Sequence, residues 1–396
     1  MLNKHYTFYD VYKYLLAISL IVIYAFSNLT LISIGFQLLF IFVSLIIILN
    51  RRAVFLSVHF YWMFSFLLWT LITTFFSVNQ ANSLNDILNL TVKFIFYTAV
   101  IMFVDNQEKF LYVLKTITAA GCLLIVRLIL FTPFSVWGTE RLGEDIGLNP
   151  NAIGIALSIS TITTLYLVNY YQKKSLYLII MPLITVGLFT GSKKAFIAII
   201  LGLSLLMFFT SRGFIKKLKM IIISIVVFLI LLFISFNVPF FYDVIGSRIE
   251  AAVLYANNSG IDKSTLTRQA MINEGIELFV RNPILGYGIN NFNELTTFKG
   301  YSHNNFIELL LGSGLIGTLI YYSLPIGLLI YSIIKSIKNS NVEYSIVAVL
   351  LIIILFLDIA NVSYRQLMTQ VMIALCVSKM IINKDIEFEN KEIEIR

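Results

Sequence analysis

The chain of 396 residues is 59% hydrophobic and only 13% charged, with a formal net charge of +8. A soluble domain carries roughly 25% charged residues, so the composition, with a mean hydropathy of +0.88, excludes a soluble globule. It predicts an all-α polytopic transmembrane helical bundle spanning residues 1–396 as a single membrane domain. The basic residues are scattered through short loops instead of forming a stripe, which argues for membrane topology and against nucleic acid as a partner.

Apolar runs near the roughly 18 to 20 residues needed to cross hydrocarbon predict about twelve helices. They lie near 14–28, 30–49, 54–77, 87–104, 110–132, 150–170, 176–190, 195–210, 220–240, 306–334, 343–358 and 366–382. Lys4 and Lys13 precede the first run as in a signal peptide, but no small-residue cleavage site follows, so the run reads as an anchor. With the N-terminus inside, Arg51, Arg52, Lys109, Lys173, Lys174, Arg212, Lys216, Lys217, Lys219, Lys335 and Lys338 fall in cytoplasmic loops, as the positive-inside rule requires. Segments 77–86, 132–150 and 239–302 then lie outside, the last as one large extracytoplasmic loop. Within it Leu266, Ala270, Ile272, Ile276, Phe279 and Val280 recur at helical spacing. They predict an amphipathic helix that either lies on the membrane surface or caps the bundle. The tail 383–396 is charged and is expected to be cytoplasmic and disordered. Cys122 and Cys376 both fall in apolar runs, which supports neither a disulfide framework nor a zinc site.

The chain is organised around 281–317, RNPILGYGINNFNELTTFKGYSHNNFIELLLGSGLIG. Asn282-Pro283 is turn chemistry, and Gly286 and Gly288 let the backbone turn tightly or approach a ligand. Ser302-His303-Asn304-Asn305 supplies cap-type side chains before the apolar run from Phe306, which puts His303 at a helix start, where unpaired N–H groups favour an anion. Gly312, Gly314 and Gly317 predict a flat face for close packing. Of the histidines, His5 is in the N-terminal tail and His59 near the inner half of a helix. Only His303 lies outside, beside this turn, and an ordinary imidazole suits a general base.

Several cations break the positive-inside pattern: Arg141, Lys193, Lys194, Arg248, Lys263, Arg268, Arg281, Lys299 and Arg365 are predicted outside, and Lys93 and Arg127 lie within helices near their outer ends. A basic side chain in hydrocarbon costs on the order of 2.5 to 3.5 kcal/mol, so each either snorkels to the headgroups or serves a partner. Taken together with the Gly191-Ser192-Lys193 turn they predict an anion held at the outer leaflet, for which a pyrophosphate neutralised by several fixed cations is suited. The outer carboxylates Glu140, Glu144, Asp145, Asp243, Glu250, Asp262, Glu274, Glu277, Glu294 and Asp358 include no Asp-x-Asp pair or neighbouring histidine. No metal ligand set is assigned, although an ion on one or two carboxylates and phosphate oxygens stays open.

These residues together resemble the O-antigen ligase and Wzy-type polymerase superfamily. The match runs through Asn282-Pro283-Ile284-Leu285-Gly286-Tyr287-Gly288, Ser302-His303-Asn304-Asn305-Phe306-Ile307-Glu308 and Gly314-Leu315-Ile316-Gly317. Leu148-Asn149-Pro150-Asn151, Gly191-Ser192-Lys193 and the loop Arg268 extend it. Lys193 departs from the arginine usual there, keeping the charge but losing the bidentate fork. The resemblance implies a GT-C-like helical bundle in the plasma membrane, with its active site on the extracytoplasmic face and no cofactor. It implies a glycosyltransferase whose donor is an undecaprenyl-pyrophosphate-linked oligosaccharide, working with a flippase and a chain-length regulator. The acceptor is another lipid-linked repeat in polymerases, lipid A core in ligases and a protein hydroxyl in related transferases. A composition rich in Ile, Asn, Lys and Phe favours a polymerase of capsule or exopolysaccharide repeats.

On this reading Arg268, Lys193 and Arg127, helped by Arg248, Lys93 and Arg281, hold the pyrophosphate. Asn304 and Glu308 also bind the pyrophosphate or the glycan, and His303 takes the acceptor proton. Attack opposite the leaving group predicts inversion, with Glu308 or Glu144 next in line as base. A transporter is the rival class. The chain lacks the two-half symmetry of broken helices seen in many carriers, and an outer loop of roughly 60 residues is unusual for one.

Overall fold

The computed structural model describes residues 8–51, 57–257, 262–339 and 342–395. The molecule is 82% helix, with no strand among the described residues. Backbone groups therefore pair within their own segments, as hydrocarbon surroundings demand.

Helices stand at every position where the sequence predicts one. In chain order these are α1 (Phe8–Ala25), α2 (Thr30–Arg51), α3 (Val58–Thr74), α4 (Gln80–Phe103), α5 (Gln107–Phe131), α6 (Pro150–Tyr171), α7 (Tyr177–Phe189), α8 (Lys193–Thr210) and α9 (Phe214–Asn237). After α9 come α10 (Ser247–Ala256), α11 (Lys263–Arg281), α12 (Asn305–Asn339), α13 (Val342–Asp358) and α14 (Leu367–Ile395). Among the described residues eight helices, α2, α4, α5, α6, α8, α9, α12 and α14, are long and apolar enough to cross a membrane by length and composition. The apolar α3, with 17 residues, and α7, with 13, are shorter. His5 lies outside the described residues. The charged tail differs from expectation: α14 continues helical to Ile395, since Glu and Lys are good helix formers and extend a helix already nucleated by packing.

The centre of the bundle is α6, which packs against α5, α7 and α8. Its span is 89% buried, and the hydroxyls that would otherwise be stranded there bond to carbonyls. Ser158 Oγ donates to Gly154 O at 2.7 Å and Ser160 Oγ to Ile117 O at 3.1 Å. A Cβ at Gly154 would come within 2.6 Å of Ala195 Cβ, so the small residue is what lets α6 and α8 touch. At the other extreme, only 6% of the α9 span is buried, which makes it an outer helix with apolar residues all round. Beyond α6, α8 packs on α13, α13 on α12 and α14, and α12 on α3.

Between α9 and α12 the chain forms a layer at one end of the bundle. Here α11 rests on α12, with Met271 and Gly275 against Ile307, Leu311 and Phe292. The buried face is therefore only partly the predicted one, since Ile272 packs against this cluster. Leu266, Ile276 and Val280 remain 42%, 45% and 68% exposed, because α12 takes the side of α11 that carries Met271, Gly275 and Leu278. The helix caps the bundle and still shows an apolar outer face.

Helix α12 is broken at Gly314, whose φ is 65°. The Leu311 carbonyl accepts from Tyr287 N at 2.8 Å, and Leu315 N donates to Pro283 O at 2.8 Å. The turn 283–287 thus takes the place of one helical hydrogen bond. The predicted glycine face holds at two of its three positions, where the backbone approaches a neighbour closely. Gly314 is a kink, not part of a regular helix, and Gly312 and Gly317 meet Ile289 and Trp69.

Candidate functional site

The site grows from three helix starts that meet at the end of the bundle covered by α10 and α11. At the first, Ser192 caps α8 by accepting from Ala195 N. Adjacent lysines at the start of a helix point about 100° apart, and here they part company. Lys193 Nζ donates to Asp262 Oδ2 at 2.6 Å. Lys194 Nζ turns inward, donates to Ala360 O at 2.7 Å, and lies within the fields of Arg268 and Arg141.

Asp262 is the cap of α11, accepting from Ser264 N at 3.1 Å and Thr265 N at 3.4 Å. Burial pushes its carboxyl up, but the bonds from Lys193 and Thr265 outweigh this and hold it well below the usual carboxylate range. Lys193, expected on the pyrophosphate, is therefore spent on tethering the helix that carries Arg268.

The second start is that of α6. Asn149 accepts from Asn151 N at 2.9 Å, Pro150 occupies the first turn, and Asn151 Oδ1 accepts from Arg141 Nη2 at 3.1 Å. Arg141 also bonds Glu144 at 3.1 Å, while its Nε is buried with no partner. Burial, then the charge of Arg248, and more weakly that of Arg268, push this guanidinium below its ordinary value, and it stays charged at neutral pH. Arg141, Lys194, Arg248 and Arg268 are thus brought together from four separate stretches of chain.

The third start is that of α12. Ser302 places both its N–H and its Oγ on Glu308 Oε2, at 2.9 and 2.8 Å. Asn304 Oδ1 accepts from Ile307 N at 3.1 Å and its Nδ2 donates to Ile359 O at 3.1 Å. Asn304 and Glu308, expected on the substrate, use these groups to hold the turn. Asn305 completes it, donating to Tyr322 OH at 2.8 Å and Asp358 at 3.3 Å and accepting from Tyr364 N at 3.0 Å. Held between these clamps, His303 adopts a left-handed φ of 56°, uncommon for a side-chain-bearing residue. Its ring lies 4.3 Å from that of Tyr301 and is half-buried. Burial, then the charges of Arg268 and Lys194, hold the imidazole below its ordinary value. At neutral pH it is the free base.

The remaining expected cations are held elsewhere. Arg127 donates to Ala25 O at 2.5 Å and Asn28 Oδ1 at 3.0 Å, closing the end of α1. Lys93 donates to Arg365 O at 2.7 Å, beside the Arg365–Asp86 ion pair at 3.0 Å. Arg281 is exposed in the last turn of α11, where a cation suits the helix dipole. The structure thus gathers His303, Arg268 and Arg248 from the expected set and adds Arg141 and Lys194. The sequence signal for the added pair was their predicted outer position; what it lacked was the direction of each side chain. Among the described residues no three His, Cys, Asp or Glu side chains gather as a metal ligand set.

The arrangement offers one uncharged base facing a group of fixed cations, which suits proton abstraction next to a bound anion. Comparison with curated proteins gives no match. The model of the family described as O-antigen ligase matches residues 176–322, a segment that contains Lys194, Arg248, Arg268, the glycine turn and His303. Residues 176–322 of this helical membrane chain are therefore similar to the O-antigen ligase family, in agreement with the resemblance read from the sequence.

Proposed function

We propose that the protein is a polysaccharide polymerase acting on undecaprenyl-pyrophosphate-linked oligosaccharide repeats at the outer face of the plasma membrane. Arg268, Lys194, Arg141 and Arg248 hold the donor pyrophosphate. His303 takes the proton from a hydroxyl of the acceptor repeat. The acceptor oxygen bonds to the anomeric carbon as the bond from that carbon to the pyrophosphate oxygen breaks. The electron pair leaves on undecaprenyl pyrophosphate, whose added charge the cations stabilise. A single displacement inverts the anomeric centre. Residues 239–257 and 262–302 form the extracytoplasmic layer over this site, and a flippase supplies the lipid-linked substrate.

The observation that carries the proposal is the grouping of a half-buried base, held neutral by its burial and then by the charges of Arg268 and Lys194, with those same cations. The family match supports lipid-linked glycan as the substrate class. A gene deletion complemented with wild type, His303→Ala or Arg268→Ala tests it through the size distribution of lipid-linked and surface glycan. A ladder restored by wild type, with single repeats left on lipid in both variants, is the expected result. Long glycan that stays on its carrier untransferred would make the chain a ligase, and a normal ladder in both variants would remove the site.

A further inference from the structure

A groove of about 760 Å³ lies between α5 and the α6–α7 hairpin, at the end where the positive-inside rule puts the cytoplasm. Its floor is apolar, formed by Ala119, Leu123, Leu167 and Ile179, and Lys115 and Lys173 stand at its polar end. Both lysines are exposed, and among the described residues no carboxylate lines the groove. Lys115 sits 4.7 Å from the centre of the Tyr171 ring, which holds the ammonium at the rim by a cation–π contact. Lys115 belongs to the third turn of α5, so its long stem runs along apolar surface before the charge reaches the headgroup level.

We propose that this groove is a binding site for one anionic phospholipid of the cytoplasmic leaflet, its phosphate between Lys115 and Lys173 and its acyl chains along the apolar floor. Two cations with no carboxylate among the described lining residues, set at the end of a greasy trough between helices, are complementary to a headgroup phosphate joined to hydrocarbon. Neither cation alone fixes a ligand. The trough decides for a lipid over a free anion, because a small anion leaves the apolar floor uncovered. This site is separate from the proposed catalytic centre and does not rest on that reading.

Native mass spectrometry of the full chain in detergent tests it, with phosphatidylglycerol and phosphatidylcholine as probes. Wild type is expected to hold one phosphatidylglycerol with a clear preference, each lysine contributing about fivefold. Lys115→Gln with Lys173→Gln should abolish the preference, while Lys216→Gln with Lys217→Gln, in α9, should keep it. Ala119→Trp, which retains both lysines but fills the trough, should lose the bound lipid. Equal affinity for the two lipids, a preference that survives in the double variant, or lipid retained by Ala119→Trp would each overturn the proposal. Displacement of the lipid by inorganic phosphate at matched concentration would show a free-anion site instead.

Discussion

Tyr287 donates its backbone N–H to the carbonyl of Leu311 at 2.8 Å, inside a helix that ought to use that carbonyl itself. The bond it displaces is restored from the other side, since Leu315 donates to Pro283 O. The glycine turn and the break in α12 are one structure, and it sets where α12 begins relative to its membrane portion.

Its two hinge glycines should resist substitution. A Cβ at Gly286 would lie 2.5 Å from Leu311 O, and one at Gly314 would lie 2.0 Å from Ile284 O, each at positive φ. Gly286→Ala and Gly314→Ala are each expected to cost about 1 to 3 kcal/mol from backbone strain, with the backbone clash adding to it. Gly35→Ala, in open space within α2, should be neutral or stabilising by up to about 1 kcal/mol. Thermal unfolding in detergent reads all three.

His303→Ala should lower the rate by about 10² to 10⁴-fold, the usual worth of a positioned base. Its unfolding temperature should barely move, because the turn is held by Ser302, Asn304 and Glu308. Single-turnover transfer with purified protein and a lipid-linked repeat measures the first, and a melt measures the second.

The acid limb of the pH–rate profile should fall below pH 6.5, the ordinary histidine value from which burial and neighbouring cations lower His303. A lowered value means the free base persists to lower pH and activity disappears only as pH drops through it. Removing one cation relieves the repulsion of the imidazolium, so Arg268→Gln should move the limb upward, toward about 6.5. A limb that stays in place in this variant, whatever its residual rate, would separate His303 from Arg268.

Lys193 and Asp262 should behave as a pair. If the lysine acts by holding α11, then Lys193→Met and Asp262→Asn share one defect and the double variant is no worse than the poorer single. Loss of activity in Lys193→Met with Asp262→Asn unharmed would return Lys193 to the phosphate.

Arg127→Gln should leave the rate per folded molecule unchanged and cost about 1 to 2 kcal/mol through its bonds to Ala25 and Asn28. Activity normalised to folded protein, set beside a melt, distinguishes this from a substrate role.

Much of this was legible where the signal is local. Turn glycines, caps and the apolar run after His303 are read within a few residues, and α12 begins at Asn305, within a residue of where those signals put it. Direction around a helix was not legible. Lys193 and Lys194 are one residue apart, and only contacts with Asp262 and Ala360, distant in sequence, decide which faces the site. Arg141 was hidden for the same reason, since a loop before α6 reaches the site only after folding. On α11 the apolar residues were visible, but the partner that selects which of them to bury was not.

Two neighbouring carbonyls after α13 carry a load that their sequence does not advertise. Ile359 O takes Asn304, the residue after His303, and Ala360 O takes Lys194. Base and cation are therefore gauged from two successive peptide groups of one short segment. Any shift of that segment carries both along, so the spacing between proton acceptor and anchored anion is preserved while the whole assembly slides. Small tilts of α13 in a bending bilayer would then displace the site without detuning it.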